Sequence, residues 1–259
     1  LIKTEQLQTI IDLNKRIHDE ISKEVERDLQ EYSQHGVNIS ETIALKLSEM
    51  CELIQLPIKD DRIGGMIIRK NSDYYCLINT EQPRAFQNFV YLHEFYHLLH
   101  GPEKFHVISG NVEDEIEIEE RKANYYASLM LLNKNALRTN YYYFIKDRQF
   151  DLKTTIYYLM NLFKTTYKTI LIRLYEIGCI EDFSVLYENF NNSDDMYSSF
   201  DKHGLDKSII EPSRTISIGK LDHYIKIAEE TGSMLEDFID LNKKQYYEIM
   251  EEIRKIQEM

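Results

Sequence analysis

Between Pro83 and Gly101-Pro102 lies one uninterrupted stretch, RAFQNFVYLHEFYHLLH, which reads as a single helix from about Ala85 to His100. A helix repeats every 3.6 residues, so His93 and His97, four apart, stand on one face one turn from each other. Glu94 lies at the edge of the same face. This is the HExxH arrangement, in which two imidazoles share one zinc ion and the carboxylate acts as a general base beside it. The bland alternative is a core helix that happens to carry histidines. Burying two imidazoles unpaired costs about 1–3 kcal/mol each, which favours a ligand role for the pair.

The rest of the chain reads as an α+β protein, predominantly helical, with one small sheet or hairpin beside the HExxH helix. Nine glycines and four prolines in 259 residues leave room for long helices and few tight turns. Ile10, Ile11, Leu13, Ile17 and Ile21 recur at helical spacing within residues 1–33. Asn38-Ile39-Ser40-Glu41 is a capping-box signature that opens a second helix, expected to run to about Ile54. Residues 62–80 are the strand candidate, with Asn71-Ser72-Asp73 as the turn of a hairpin. Helices are expected over about 115–132, 136–147, 152–163 and 166–177. The polar run 188–204 reads as an irregular linker, and 216–259 returns to helical periodicity. The expected organisation is N-terminal helices over 1–60, a metallopeptidase core over 61–185, and a linker with a helical appendage over 186–259.

A hydrolytic zinc site wants a third protein ligand and an open position for water. His100 lies near the right face but ends the helix, where capping is the commoner role. Position 103 is Glu103, which does not fit the spacing of sites that use a third histidine. The next helix offers Glu113, Asp114, Glu115, Glu117, Glu119 and Glu120, most of them explained as acidic residues at a helix N-terminus. Glu120 differs in having Asn124 four residues on, a carboxylate with an amide neighbour on one face. Glu117 and Glu119 remain rivals. The gap of 23 residues from His97 to Glu120 suits two helices folded around a metal, as in a thermolysin-like core.

Taken together, these residues resemble the ImmA/IrrE zinc metallopeptidases. The resemblance rests on Phe89, the His93-Glu94-Phe95-Tyr96-His97 motif, Leu98-Leu99-His100, and Glu120-Arg121-Lys122-Ala123-Asn124-Tyr125-Tyr126-Ala127. It spans about residues 40–182. Departures are Tyr96 where the family usually has Gly, Leu92 in place of Ala, and Leu132-Asn133 in place of Met-Pro. The resemblance implies Zn2+ on His93, His97 and Glu120, with Glu94 as the base. It leaves Tyr96, Tyr125 and Tyr126 open as oxyanion stabilisers. It also implies cleavage of a protein substrate in trans: a helix-turn-helix transcriptional repressor or a similar regulator, often encoded beside the peptidase on a mobile element.

The formal charge of −13 argues against nucleic acid or an anionic membrane as the partner. No apolar run approaches the roughly 18–20 residues that cross a bilayer. Three cysteines without a CxxC pair fit a reducing cytoplasm. Two rival readings come from other classes. One is a catalytically idle sensor on the same fold. The other is a DNA-binding regulator, because 154–178 has a helix-turn-helix rhythm and 133–175 carries eight basic residues against two acidic ones. Apolar residues at Ile170, Leu171, Ile172 and Leu174 make the second helix of that pair look like core. The tail is expected to pack on the catalytic domain and help select the partner.

Overall fold

The computed structural model describes residues 4–33, 37–70, 72–100, 106–107, 118–181 and 193–219, together with Lys244 and Glu251. The chain is predominantly helical around one small mixed sheet. Helix α1 (Thr4–Tyr32) presents a buried stripe of Leu7, Ile10, Ile11, Ile17, Ile21 and Val25. Leu13, expected in that stripe, is only half-buried. Asn38 caps α2 (Ile39–Met50), its side chain accepting from Ser40 N at 3.1 Å. This satisfies one of the free N–H groups of the first turn.

Helix α2 stops at Met50, four residues short of the sequence expectation. Residues 52–56 instead form β1 (Glu52–Leu56), which runs parallel to β3 (Asp73–Asn79). β3 forms the expected antiparallel hairpin with β2 (Gly65–Lys70). β4 (His106–Val107) and β5 (Ser217–Ile218) complete the sheet, in the order β4-β2-β3-β1-β5. The sheet therefore draws strands from all three of the stretches 1–60, 61–185 and 186–219.

The turn from β1 across to β2 is held by one side chain. Asn79, fully buried, accepts from Ile58 N at 2.8 Å and donates to Ile58 O at 2.9 Å and Ile63 O at 2.8 Å. Its amide thus replaces the backbone partners that an irregular loop lacks.

Helix α3 (Arg84–His100) lies on the sheet, with α2 and α4 (Ile118–Leu131) against its other faces and α1 against α4. Ala123 and Ala127, both fully buried on α4, keep that contact close. Helix α5 (Lys134–Tyr142) runs into a π-helical turn over Tyr143–Asp147, where an ordinary helix was expected throughout. Helices α6 (Leu152–Phe163) and α7 (Tyr167–Glu176) follow, the first with Asp151 and the second with Thr166 as cap. The stretch expected to be an irregular linker contains α8 (Ser193–Lys202), anchored by fully buried Phe200 against Tyr157. The helical stretch expected from 216 begins instead with strand β5 at Ser217–Ile218; the remainder of 216–259 after 219, apart from Lys244 and Glu251, and the loop over 103–113 apart from His106–Val107, lie outside the described residues.

Candidate metal centre

Helix α3 is buried continuously from Val90 to Leu98, so its histidines and glutamate are removed from bulk water. His93 is 0% exposed, Glu94 0% and His97 4%. The two imidazoles face one another, with Nε2 atoms 3.0 Å apart. Helix α4 brings Glu120 to the same point. Its Oε2 lies 3.3 Å from His93 Nε2 and its Oε1 lies 3.2 Å from His97 Nε2.

This donor set fits a small divalent cation. In a tetrahedral site with bonds of about 2.0–2.2 Å, neighbouring ligand atoms stand about 3.3–3.5 Å apart. The observed separations of 3.0, 3.2 and 3.3 Å approach that geometry before any ion is considered. Two imidazoles and a carboxylate are also borderline ligands of the kind zinc accepts. Among the described residues this is the group of histidines and carboxylates arranged to hold a metal.

The rivals go elsewhere. His100 Nε2 meets Glu24 Oε2 of α1 at 3.2 Å, and its ring stacks on Tyr96 with centroids 4.3 Å apart. Glu119 is half-exposed and pairs with Lys122 at 3.2 Å. Glu103 and Glu117 lie outside the described residues. Asn124 adjoins His93, close enough to favour its protonated form.

Electrostatics follow from burial. Burial pulls the His93 imidazole down to about 4, against a smaller upward pull from Glu120. Burial alone would raise Glu120, but hydrogen bonds from His93 and His97 outweigh it and hold the carboxyl well below its ordinary range. Glu94 moves the other way, pushed far up by burial and then by the negative charge of Glu120. Neither of its oxygens has a hydrogen-bond partner. Its carboxylate is pressed against Gly65 at the start of β2, where an added Cβ would stand 3.0 Å from Oε1.

Two of the three tyrosines near the motifs are already committed. Tyr126 Oη donates to Asp28 Oδ2 at 2.7 Å, and Tyr125 Oη pairs with His18 Nδ1 at 3.0 Å. Both hydroxyls therefore tie α4 to α1. Tyr96, the departure from the family's Gly, is 2% exposed and sits between the rings of His100 and Tyr126. Its bulk fills the junction with α1.

Four of the eight basic residues of 133–175 are tied to neighbouring groups. Arg173 bonds Glu176 at 2.6 Å, Arg138 donates to Ile177 O at 2.7 Å, Lys164 pairs with Asp206 at 3.2 Å, and Lys153 pairs with Asp195. No residue of α7 is fully exposed.

Gly65 and Asn79 escaped the sequence reading. The Gly64-Gly65 pair ahead of a strand was the one visible signal, because glycine in a strand often marks a close approach. Nothing local announced Asn79.

A histidine pair on one helix, a buried carboxylate between them and a glutamate from the next helix make a group that could hold a metal ion. Residues 53–175 match the model of the IrrE N-terminal-like domain, and this segment belongs to that family of peptidases. Comparison with curated proteins finds no match.

Proposed function

We propose that the chain is a zinc-dependent metallo-endopeptidase that cuts one regulatory protein in trans, a helix-turn-helix repressor or a similar regulator. The observation that carries the reading is the seating of the Glu120 carboxylate across His93 Nε2 and His97 Nε2, with Glu94 beside them. His93, His97 and Glu120 would hold the ion. Zinc, when bound, supplies a Lewis acid that acidifies a water and polarises a peptide carbonyl.

The proton is the business of Glu94. Its carboxylate takes one from the attacking water and passes it to the leaving amine. Burial favours the protonated form, which suits the second half of that transfer, and neither oxygen is tied up by another hydrogen bond. An extended peptide would add to the edge of the small sheet beside α3, through main-chain hydrogen bonds. The absence of an exposed residue on α7 speaks for a protein rather than a DNA partner, since a recognition helix needs a face to offer the major groove. No helix among the described residues is long and apolar enough to cross a membrane, and none of the three cysteines is in a disulfide, in keeping with a cytoplasmic setting.

Metal analysis and cleavage of a co-encoded repressor test the proposal together. Glu94→Gln is expected to keep about one zinc per chain and to lose hydrolysis, because the base is not a ligand. Alanine at His93, His97 or Glu120 is expected to empty the site. If Glu94→Gln empties it, or cleaves as wild type does, the roles are wrong.

A further inference from the structure

The small sheet has two faces, and α3 takes one of them. Ile67 and Cys76, paired in register, belong to the core on that side, and Leu53 and Tyr74 pack against it. The alternate residues point the other way. Ile218, Ile54, Leu77 and Met66 pair in register across β5, β1, β3 and β2, so they form one apolar row, with Tyr75 and Ile68 as a second row beside it. All six are half-buried, and none belongs to the core that their neighbours on the α3 side help to build.

A sheet with one face in water alternates apolar and polar residues along its strands. These strands do not. Met66-Ile67-Ile68 on β2 and Tyr74-Tyr75-Cys76-Leu77-Ile78 on β3 are apolar on both sides, the composition of strands covered on both faces. The second face therefore calls for an occupant.

The chain itself supplies one. β5 is the strand at the edge of the sheet beside β1, and the chain leaves it at Gly219. Gly219 has a φ of +54°, and a Cβ there would collide with the Glu52 carboxylate. Glu52 pairs in register with Tyr75, so its side chain stands on the second face, and the backbone turns beside that face. Only Gly219 and Lys220 separate Ile218 from Leu221. From there Leu221, Tyr224, Ile225 and Ala228 recur at i, i+3, i+4 and i+7, the spacing of one apolar helix face. A segment tethered so closely meets the sheet at an effective concentration on the order of millimolar, which a second copy or a separate partner would have to match in solution.

We propose that residues 220–259 lay an apolar helical face on the row of Ile218, Ile54, Leu77 and Met66, and so form the second layer over the sheet. The inference stands apart from the peptidase reading. It bears on the candidate site through β2, because the strand that contributes Met66 to the row also sets Gly65 against Glu94.

Hydrogen exchange of the 259-residue chain, in wild type, Leu77→Lys and Ile225→Lys, tests this. Each lysine puts a charge on one side of the contact. In monomeric wild type the amides of 221–230 are expected to exchange at least about tenfold more slowly than in either variant. A cysteine introduced by Ile68→Cys reports on the face itself. Its alkylation by iodoacetamide is expected to quicken by about tenfold or more when Ile225→Lys is added. Should Leu77→Lys fail to fold, this labelling comparison decides alone, since Ile68 lies outside the core. Amides of 221–230 that exchange in wild type as an unfolded peptide does would overturn the proposal. Labelling of Ile68→Cys that Ile225→Lys leaves unchanged would do the same. Sedimentation covers the remaining occupant: a dimer whose dissociation on dilution uncovers Ile68→Cys, with no effect of Ile225→Lys, assigns the face to a second copy and overturns the proposal too.

Discussion

Gly65 in β2 and Glu94 in α3 meet with no room for a side chain between them. A Cβ on Gly65 would lie 3.0 Å from Glu94 Oε1 and 2.5 Å from Val90 Cγ1. The glycine lets the sheet close over the Glu94 side chain. Gly65→Ala is therefore expected to destabilise the protein by about 1–3 kcal/mol through overpacking. Urea unfolding measures this. A variant as stable as wild type would show that sheet and helix do not approach so closely.

Asn79 places that glycine. Its side chain serves Ile58 N, Ile58 O, Ile63 O and also Glu81 N, at 3.0 Å. Asn79→Ala strips several backbone groups of their partners at once, and water can replace only the more exposed ones. A loss of roughly 2–4 kcal/mol is expected. Asn79→Asp keeps the acceptor but not the amide donors, so it is expected to fall between wild type and alanine. An aspartate as damaging as alanine would deny the acceptor any part in holding Ile58 and Glu81.

The parts of this protein that could be read in advance are those whose information is local. The α3 helix announced itself through Pro83, Gly101 and a 3.6-residue period, and His93, His97 and Glu120 through spacing on one helix and the start of the next. β1 was misread as the end of α2 because Cys51-Glu52-Leu53-Ile54 carries no alternation. All five of its residues are half-buried, and its strand conformation comes from pairing with Tyr75–Asn79, more than twenty residues on. α8 was hidden by its serines and aspartates, and exists because Phe200 finds a buried seat against Tyr157. The Gly64-Gly65 pair signalled a close approach but not its partner, since that depends on which helix comes to lie over Gly65.

Metal-free protein should show opposing pH dependences from neighbouring residues. His93 binds its proton at about 4 when folded, against an ordinary 6.5, so the folded state holds fewer protons between those values. The stability it contributes is fully present above about 6.5 and is lost as pH falls toward 4. Glu94 is raised, so its contribution is fully present below 4.5 and is lost as pH rises. The two partly cancel in wild type. In Glu94→Gln that opposing contribution is gone, and the chelated variant should gain stability more steeply than wild type between pH 4 and 6.5. Denaturant midpoints across that range test it. Parallel curves for the two proteins would mean that Glu94 does not titrate against burial.

Asp28 and Tyr126 offer a test of how α4, which carries Glu120, is fixed to α1. Asp28 is 2% exposed, accepts from Arg27 Nε at 2.9 Å through Oδ1, and accepts from the Tyr126 hydroxyl at 2.7 Å through Oδ2. A hydroxyl bonded to a carboxylate makes a stronger bond than one between neutral groups. Tyr126→Phe keeps the ring in its buried place and leaves Oδ2 without its donor, which should cost about 2–3 kcal/mol. Asp28→Asn retains an acceptor for the tyrosine and should cost less. In a double-mutant cycle joining Tyr126→Phe to Asp28→Leu, the coupling should exceed about 1 kcal/mol, since the pair is in direct contact. Additive losses in that cycle would mean that each side chain stabilises the helix pair only by filling space.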